Sequence, residues 1–286
     1  LKSSMRIRMA VAGAKHSVAI TQDDGYLYAW GHGDKGRLGN NSEIGTLVPI
    51  RVEKMISGLT ANKRSSGGND NVIMFVHVSA GEAHSAAVTV DGNVFTWGTG
   101  SHGRLGHDSV LDEPMPRIVA SLAETKMVQV ACGTFHTLFL SQPKGRSGGE
   151  IYVCGGASEG RLGLGNRSGK VAENQTYPRV IGGPISALPV VQISCNMMHN
   201  VASDIEGHVW TWGFGGHGRL GYVCVSFRDS LCWYLHLQLT QSLSNAFYLS
   251  LSVSLSPCLS LCPSFLSLSH TYLPLSTSLP SLPLSV

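Results

Sequence analysis

Gly81-Glu82-Ala83-His84-Ser85-Ala86-Ala87-Val88-Thr89-Val90-Asp91-Gly92-Asn93-Val94-Phe95-Thr96-Trp97-Gly98-Thr99-Gly100-Ser101-His102-Gly103-Arg104-Leu105-Gly106 decides how the chain is read. His84 to Val90 has the length and residue types of a short strand. Asp91-Gly92 is a hairpin turn signal, because glycine tolerates the positive φ that tight turns need. Asn93 to Trp97 is the returning strand. A glycine-rich loop ending in Gly-Arg-Leu-Gly closes the unit.

The unit recurs three more times. Gly13-Ala14-Lys15-His16-Ser17 precedes Trp30-Gly31-His32-Gly33-Asp34-Lys35-Gly36-Arg37-Leu38-Gly39. Gly133-Thr134-Phe135-His136-Thr137 precedes Cys154-Gly155-Gly156-Ala157-Ser158-Glu159-Gly160-Arg161-Leu162-Gly163. Asn196-Met197-Met198-His199-Asn200 precedes Trp212-Gly213-Phe214-Gly215-Gly216-His217-Gly218-Arg219-Leu220-Gly221. The arginines lie 67, 57 and 58 residues apart. Asp24-Gly25 and Glu206-Gly207 supply the turn in the first and fourth units, and a longer basic loop, 141–150, replaces it in the third. After each of the first three arginine cores comes a Pro-containing apolar segment, such as Pro116-Arg117-Ile118-Val119. Another apolar stretch precedes the next histidine, such as Val128-Gln129-Val130-Ala131-Cys132. That makes about four short strands per period, and four-stranded sheets repeated radially make a β-propeller.

The pattern G-x-x-H-[ST], a hairpin, then W-G-x-G-x-x-G-[RQ]-L-G resembles the regulator of chromosome condensation repeat family, over roughly residues 11 to 221. The resemblance implies an all-β propeller of four-stranded blades, seven to a ring. Four arginine cores are present, so the expectation is an incomplete ring of about four blades. The resemblance also implies a protein partner. Giant ubiquitin ligases carry such modules within longer chains. In the founding member, propeller loops and a wedge engage a Ran-type small GTPase and promote guanine-nucleotide release. No wedge or exchange-critical acidic residue can be matched here, so a non-catalytic interaction module is the first reading and nucleotide exchange the alternative.

Composition breaks at Gly221. All 34 glycines and 37 of the 39 charged residues lie at or before it, whereas Ser and Leu make up 33 of the 65 residues from Tyr222 to Val286. Residues 1–221 are therefore read as the repeat domain and 222–286 as a low-complexity tail. Leu249 to Ser256 alternates almost strictly, and a CT-dinucleotide repeat translates as alternating Leu and Ser. Translated simple-sequence DNA is the favoured reading of the tail, with a low-complexity linker as the alternative. The initial Leu and the missing cores lead us to expect a fragment, its remaining blades supplied by further sequence or another chain.

The net charge of +3 on 286 residues lacks the electrostatic footprint of a general nucleic-acid or chromatin binder. No run of 18 apolar residues suggests a spanning helix. Seven cysteines without CxxC or zinc spacing read as reduced thiols, which points to cytoplasm or nucleus.

The glycine-rich loops match the dinucleotide fingerprint at Gly31, Gly33 and Gly36, and at two later repeats. That motif needs a helix N-terminus after the loop, and no amphipathic helix follows, so they read as scaffold turns. His16, His84, His136 and His199 come from different units. They could not converge within the roughly 2 Å that zinc needs of its ligands, so they are expected to bond neighbouring backbone. Arg37, Arg104, Arg161 and Arg219 are expected to pair with groups of an adjacent blade. Trp30, Trp97 and Trp212 are expected in the core, with Cys154 as the third unit's substitute. A light-sensing member of the family uses clustered tryptophans, but its Gly-Trp-Arg-His-Thr peptide is not found here. Cys132 and Cys195 align with Ala12 and Ala80 and read as small buried groups. No nucleophile, base and orienter can be nominated, and no metal or cofactor is expected. Function is expected on loops that break the repeat. These are residues 57–71, with Lys63 and Arg64, and residues 141–150, with Lys144 and Arg146.

Overall fold

The computed structural model describes residues 5–56, 73–143, 148–165, 173–182, 184–187 and 189–221, with two further strands at 236–241 and 247–252. Lys63, Arg64, Lys144 and Arg146 lie outside the described residues.

The chain is all-β. Blade 1 is β1 (Ile7–Ala12), β2 (His16–Thr21), β3 (Leu27–Gly31) and β4 (Thr46–Arg51). Blade 2 is β5 (Phe75–Ala80), β6 (His84–Thr89), β7 (Val94–Gly98) and β8 (Glu113–Ile118). Blade 3 is β9 (Met127–Cys132), β10 (His136–Ser141), β11 (Ile151–Gly155) and β12 (Gln175–Val180). Each is an antiparallel meander in sequence order. Blade 4 shows three strands among the described residues: β13 (Val190–Cys195), β14 (His199–Asp204) and β15 (Val209–Gly213). In the tail, β16 (His236–Gln241) pairs antiparallel with β17 (Phe247–Ser252) as a separate two-stranded sheet. The helical segments among the described residues are all short 3-10 turns.

The core follows from the two-residue period of a strand, which sends successive side chains to opposite faces. A blade packed on both faces therefore divides its residues between two seams. Ala86 and Val88 of β6 enter the core shared with blade 3, beside Met127, Val130 and Phe139. Ala87, between them in sequence, enters the core shared with blade 1, beside Val18, Ile20 and Leu27. Phe75 and Phe95 meet edge to face in that same core, with centroids 5.7 Å apart. A third core joins blades 3 and 4 around Leu138, Ile193 and Trp212. Each seam thus has its own apolar cluster. The six residues of β6, and likewise those of β10, are buried throughout.

The connections sort by strand end. Thr46 pairs with Gly31 and Arg51 with Tyr28, so β4 ends where the β2–β3 hairpin turns. The described flanks of segment 57–72 and of the β10–β11 loop therefore leave from the same end of the strands. The Gly-x-x-His loops and the glycine-rich turns occupy the other end.

Candidate functional site

The recurring residues meet at the seams. His16 Nε2 lies 2.7 Å from Ser85 Oγ, His84 Nε2 2.9 Å from Thr137 Oγ1, and His136 Nε2 2.6 Å from Asn200 Oδ1. In every case the partner follows the next blade's own histidine. That partner then donates back to the previous blade. Ser85 Oγ donates to Arg37 O at 3.1 Å, Thr137 Oγ1 to Arg104 O at 2.6 Å, and Asn200 Nδ2 to Arg161 O at 2.7 Å. A hydroxyl has one proton, and here the arginine carbonyl takes it. The histidine must then donate through Nε2, which leaves Nδ1 unprotonated. Nδ1 of His16, His84 and His136 is buried without a partner. Each seam is therefore a one-way relay from imidazole N–H to hydroxyl or amide to carbonyl.

Burial fixes the protonation state. It pushes His16 down to about 4, with the Arg37 cation adding to the effect, and pushes His136 down to about 4 against the raising effect of its Asn200 bond. His84, wholly buried, is lowered well below the ordinary imidazole range by desolvation. These rings are neutral in the folded chain.

The arginines tie turn to turn. Arg37 Nε donates to Asp34 O of its own 3-10 turn at 2.9 Å, and Nη1 to Glu82 O of blade 2 at 3.0 Å. Arg104 repeats this with Ser101 O at 3.0 Å and Thr134 O of blade 3 at 2.6 Å. Arg161 keeps the first bond, to Ser158 O at 2.8 Å, but its Nη1 is buried without a partner. Phe135 sits among the guanidinium groups of Arg104 and Arg161, 4.9 and 5.4 Å from its centroid, with the His102 ring 5.0 Å away.

Trp97 Nε1 donates to Arg37 O at 3.0 Å, so that carbonyl accepts from both Ser85 and Trp97. At the same place in blade 3, Cys154 donates from Sγ to Arg104 O at 3.3 Å. Trp212 is equally buried, but its Nε1 has no partner. Cys132 is buried and its thiol is pushed up to about 12 by desolvation. Burial also raises Cys195 well above the ordinary thiol range.

The histidines' partner hydroxyls were not singled out in the sequence, although Ser17, Ser85, Thr137 and Asn200 recur directly after the histidines. A second unread feature staples the hairpin turns. Thr21, Thr89 and Ser141 accept a backbone N–H from across the turn. In blade 4 Asp204 takes this role, accepting the backbone N–H of His208 at 2.9 Å, His208 Nδ1 at 2.9 Å and Trp210 Nε1 at 3.2 Å. Among the described residues, no three or more His, Cys, Asp or Glu side chains gather as a metal site.

At the tips of the glycine-rich turns, Lys35, His102, Glu159 and His217 are exposed and stand at φ between 59° and 64°. Non-glycine residues seldom adopt that region. The turn holds its shape in all four units while its tip changes from cation to histidine to carboxylate to histidine.

The family model described as Regulator of chromosome condensation (RCC1) repeat matches residues 24–88, 91–140 and 148–203, and a second model of that description matches 10–37 and 75–104. The human E3 ubiquitin-protein ligase HERC2 is 32% identical over 222 residues, covering 78% of this chain and 4% of the ligase. The Arabidopsis thaliana ultraviolet-B receptor UVR8 is 30% identical over 253 residues, covering 76% of this chain and 55% of the receptor. The chain thus spans only part of these curated relatives. Human WBSCR16 superposes with a TM-score of 0.66 at 24% identity, over 87% of this chain and 60% of that one. Yeast RCC1 (Prp20) superposes with a TM-score of 0.60 at 22% identity, over 81% of this chain and 48% of that one. At such identities the two structures speak to the fold.

Proposed function

This chain belongs to the regulator of chromosome condensation repeat family, and from that premise we propose that it works as a non-catalytic protein-interaction module of a larger signalling or ubiquitin-ligase protein. The observation that carries this reading is the seam chemistry: His16, His84, His136, Arg37 and Arg104 bond from blade to blade. Groups engaged in this way serve the scaffold. Partner contacts then fall to surfaces that break the repeat. The described flanks of segment 57–71 and of the loop 141–150 lie at one end of the strands, and Lys63, Arg64, Lys144 and Arg146 would give that end a basic partner surface. Repeats of this kind within E3 ligases such as HERC2 support placement in a longer protein, and the reduced thiols read from the cysteine pattern make cytoplasm or nucleus part of the proposal.

The test is charge reversal at Lys63, Arg64, Lys144 and Arg146 together, read by cross-linking capture of partners in cells. The expected result is loss of a discrete partner set with an unchanged melting temperature. An identical partner set from both proteins would overturn the assignment of that surface.

Guanine-nucleotide exchange on a Ran-type GTPase is the second reading. It is favoured by the neighbouring yeast structure, Prp20p, described with its binding properties to Gsp1p and histones. Acceleration of labelled-nucleotide release from such a GTPase by the purified chain would favour it over the first.

A further inference from the structure

The outer edge of blade 2 is occupied by the chain itself. Residues 52–74 join blade 1 to blade 2, and on the way Ile56 lies parallel to β8, opposite Arg117. Ile56 N donates to Pro116 O at 2.8 Å, and Ile118 N donates to Ile56 O at 3.0 Å. Further along the same edge, Asn41 N donates to Pro114 O at 3.0 Å. Pro114 and Pro116 have no N–H to satisfy, and the edge binds Ile56 through the carbonyl of Pro116 and the N–H of Ile118.

Blade 3 has the same edge without the occupant. Asp108 N donates to Thr176 O at 2.8 Å, as Asn41 does to Pro114. Pro178 and Val180 stand where Pro116 and Ile118 stand, since Tyr152 pairs with Val180 as Phe95 pairs with Ile118. Ile181 N bonds inward to Ile151 O, which turns Val180 N outward. Among the described residues neither Val180 N nor Pro178 O has a partner. The cause is the shorter joint. Residues 119–126, all described, turn through the 3-10 segment Ala120–Leu122 and go straight to β9, with no backbone bond to β12. Ile118 is therefore 6% exposed, whereas Val180 is 42% and Tyr177 45% exposed. Charge differs too. Arg117 Nη1 donates to the Glu113 carboxylate, but Gln175 takes the glutamate's place in blade 3. Arg179 is exposed, and its Nη1 reaches only the neutral Gln175 Oε1, at 3.4 Å.

We propose that the outer edge of β12 is a docking site for an extended acidic segment of a partner protein, which adds to blade 3 as a parallel strand. The residue opposite Arg179 donates to Pro178 O and accepts from Val180 N, as Ile56 does on blade 2. Successive side chains of a strand point to opposite faces, so an apolar residue covers Val180 and a neighbouring carboxylate meets Arg179 beside Tyr177. An unpaired edge is a template for another chain: its main-chain bonds give affinity, and its side chains give the choice of partner. The inference rests on the interaction-module reading but places this contact on residues other than Lys63, Arg64, Lys144 and Arg146.

Selection of random peptides on the full 286-residue chain tests it, with Val180→Pro and Arg179→Glu as variants. Proline removes the outward N–H and is tolerated on an edge strand, so V180P should keep the parent's melting temperature. Enriched peptides are expected to carry Asp or Glu beside an apolar residue, to bind V180P about tenfold more weakly, and to give way to basic peptides on R179E. Hydrogen exchange supplies a second readout: Val180 N–H should exchange fast in the free chain and slowly with peptide bound, and Ile118 N–H slowly in both. A library with no enrichment, or peptides that bind V180P as tightly as the parent, would overturn the proposal. So would a Val180 N–H already protected in the free chain, because the chain's own tail or a second copy would then hold the edge. None of these results bears on the four basic loop residues, so this site can fail while the interaction-module reading stands.

Discussion

The contact between blades 1 and 2 and the contact between blades 3 and 4 share one plan but are not equally complete. In the first, Arg37 Nη1 reaches Glu82 O, Trp97 reaches Arg37 O, and Ala14 N donates to Gly81 O at 3.1 Å. In the second, Arg161 Nη1 and Trp212 Nε1 are buried without partners. The sequence difference is local: blade 4 enters its second strand through Asn196-Met197-Met198, where blade 2 uses Gly81-Glu82-Ala83. Gln129 offsets part of the loss by clamping β9 to β13, donating to Ile193 O at 2.9 Å and accepting from Ile193 N at 3.0 Å. The relay through His136 and Asn200 survives in both. The imidazole relay is therefore the part of the seam that survives the change of loop, and the arginine and indole bonds are the part that is lost with it.

Acid should break both seams, and by the largest margin. His16 and His136 sit near 4 in the folded chain and at 6.5 when unfolded. The unfolded chain binds more protons below that value, so stability is complete above pH 6.5 and falls as pH drops toward 4. Each histidine accounts for up to about 3 kcal/mol of that loss. A urea midpoint that stays level from pH 8 to pH 4.5 would contradict the neutral, donating state assigned to these rings.

Gly81→Ala strikes the seam between blades 2 and 3, where the glycine is present on both sides. Its Cβ would collide with Gly133 O and with the His84 ring. A backbone carbonyl cannot swing aside, so the expected cost is about 3 kcal/mol, at the upper end of overpacking effects. Guanidinium unfolding measures it, and a change below 0.5 kcal/mol, by the same scale, would mean that the glycine is not what allows close docking.

The smallest expected effect compares His84→Ala with His199→Ala. The first leaves Thr137 Oγ1 without its donor in a dry seam and should cost about 2 kcal/mol, while the second, at the half-buried His199 ring, should cost below about 1 kcal/mol. Equal losses would erase the distinction between a fully buried ring and a half-buried one.

The strands were legible because their signals are local. His84 to Val90, the Asp91-Gly92 turn and the return to Trp97 lie within one short window, and the structure places β6 and β7 there. The recurrence of the unit gave the blades. The histidines' partners were not legible, because Ser85 lies 69 residues from His16 and Thr137 lies 53 from His84. The sequence reading looked to neighbouring backbone, whereas the bond goes to a side chain of the next repeat. The 3-10 turns are too short to leave a periodic signature. The Asp204 staple escaped notice because one unit alone replaces a hydroxyl with a carboxylate. Lys63, Arg64, Lys144 and Arg146 remain a reading of sequence.

The relay described above starts on the histidine of one blade, crosses to the hydroxyl or amide of the next and returns to the first blade's arginine carbonyl, which gives the array a grammar. Any unit can follow any other, because each ends with the acceptor that the next one needs. A duplication or deletion of one whole period keeps both partners of every relay, whereas a change of half a period removes one of them from a junction. Lineages that carry this repeat can therefore alter the number of units without inventing a new bond, and breakpoints that respect the period are the ones such a protein survives.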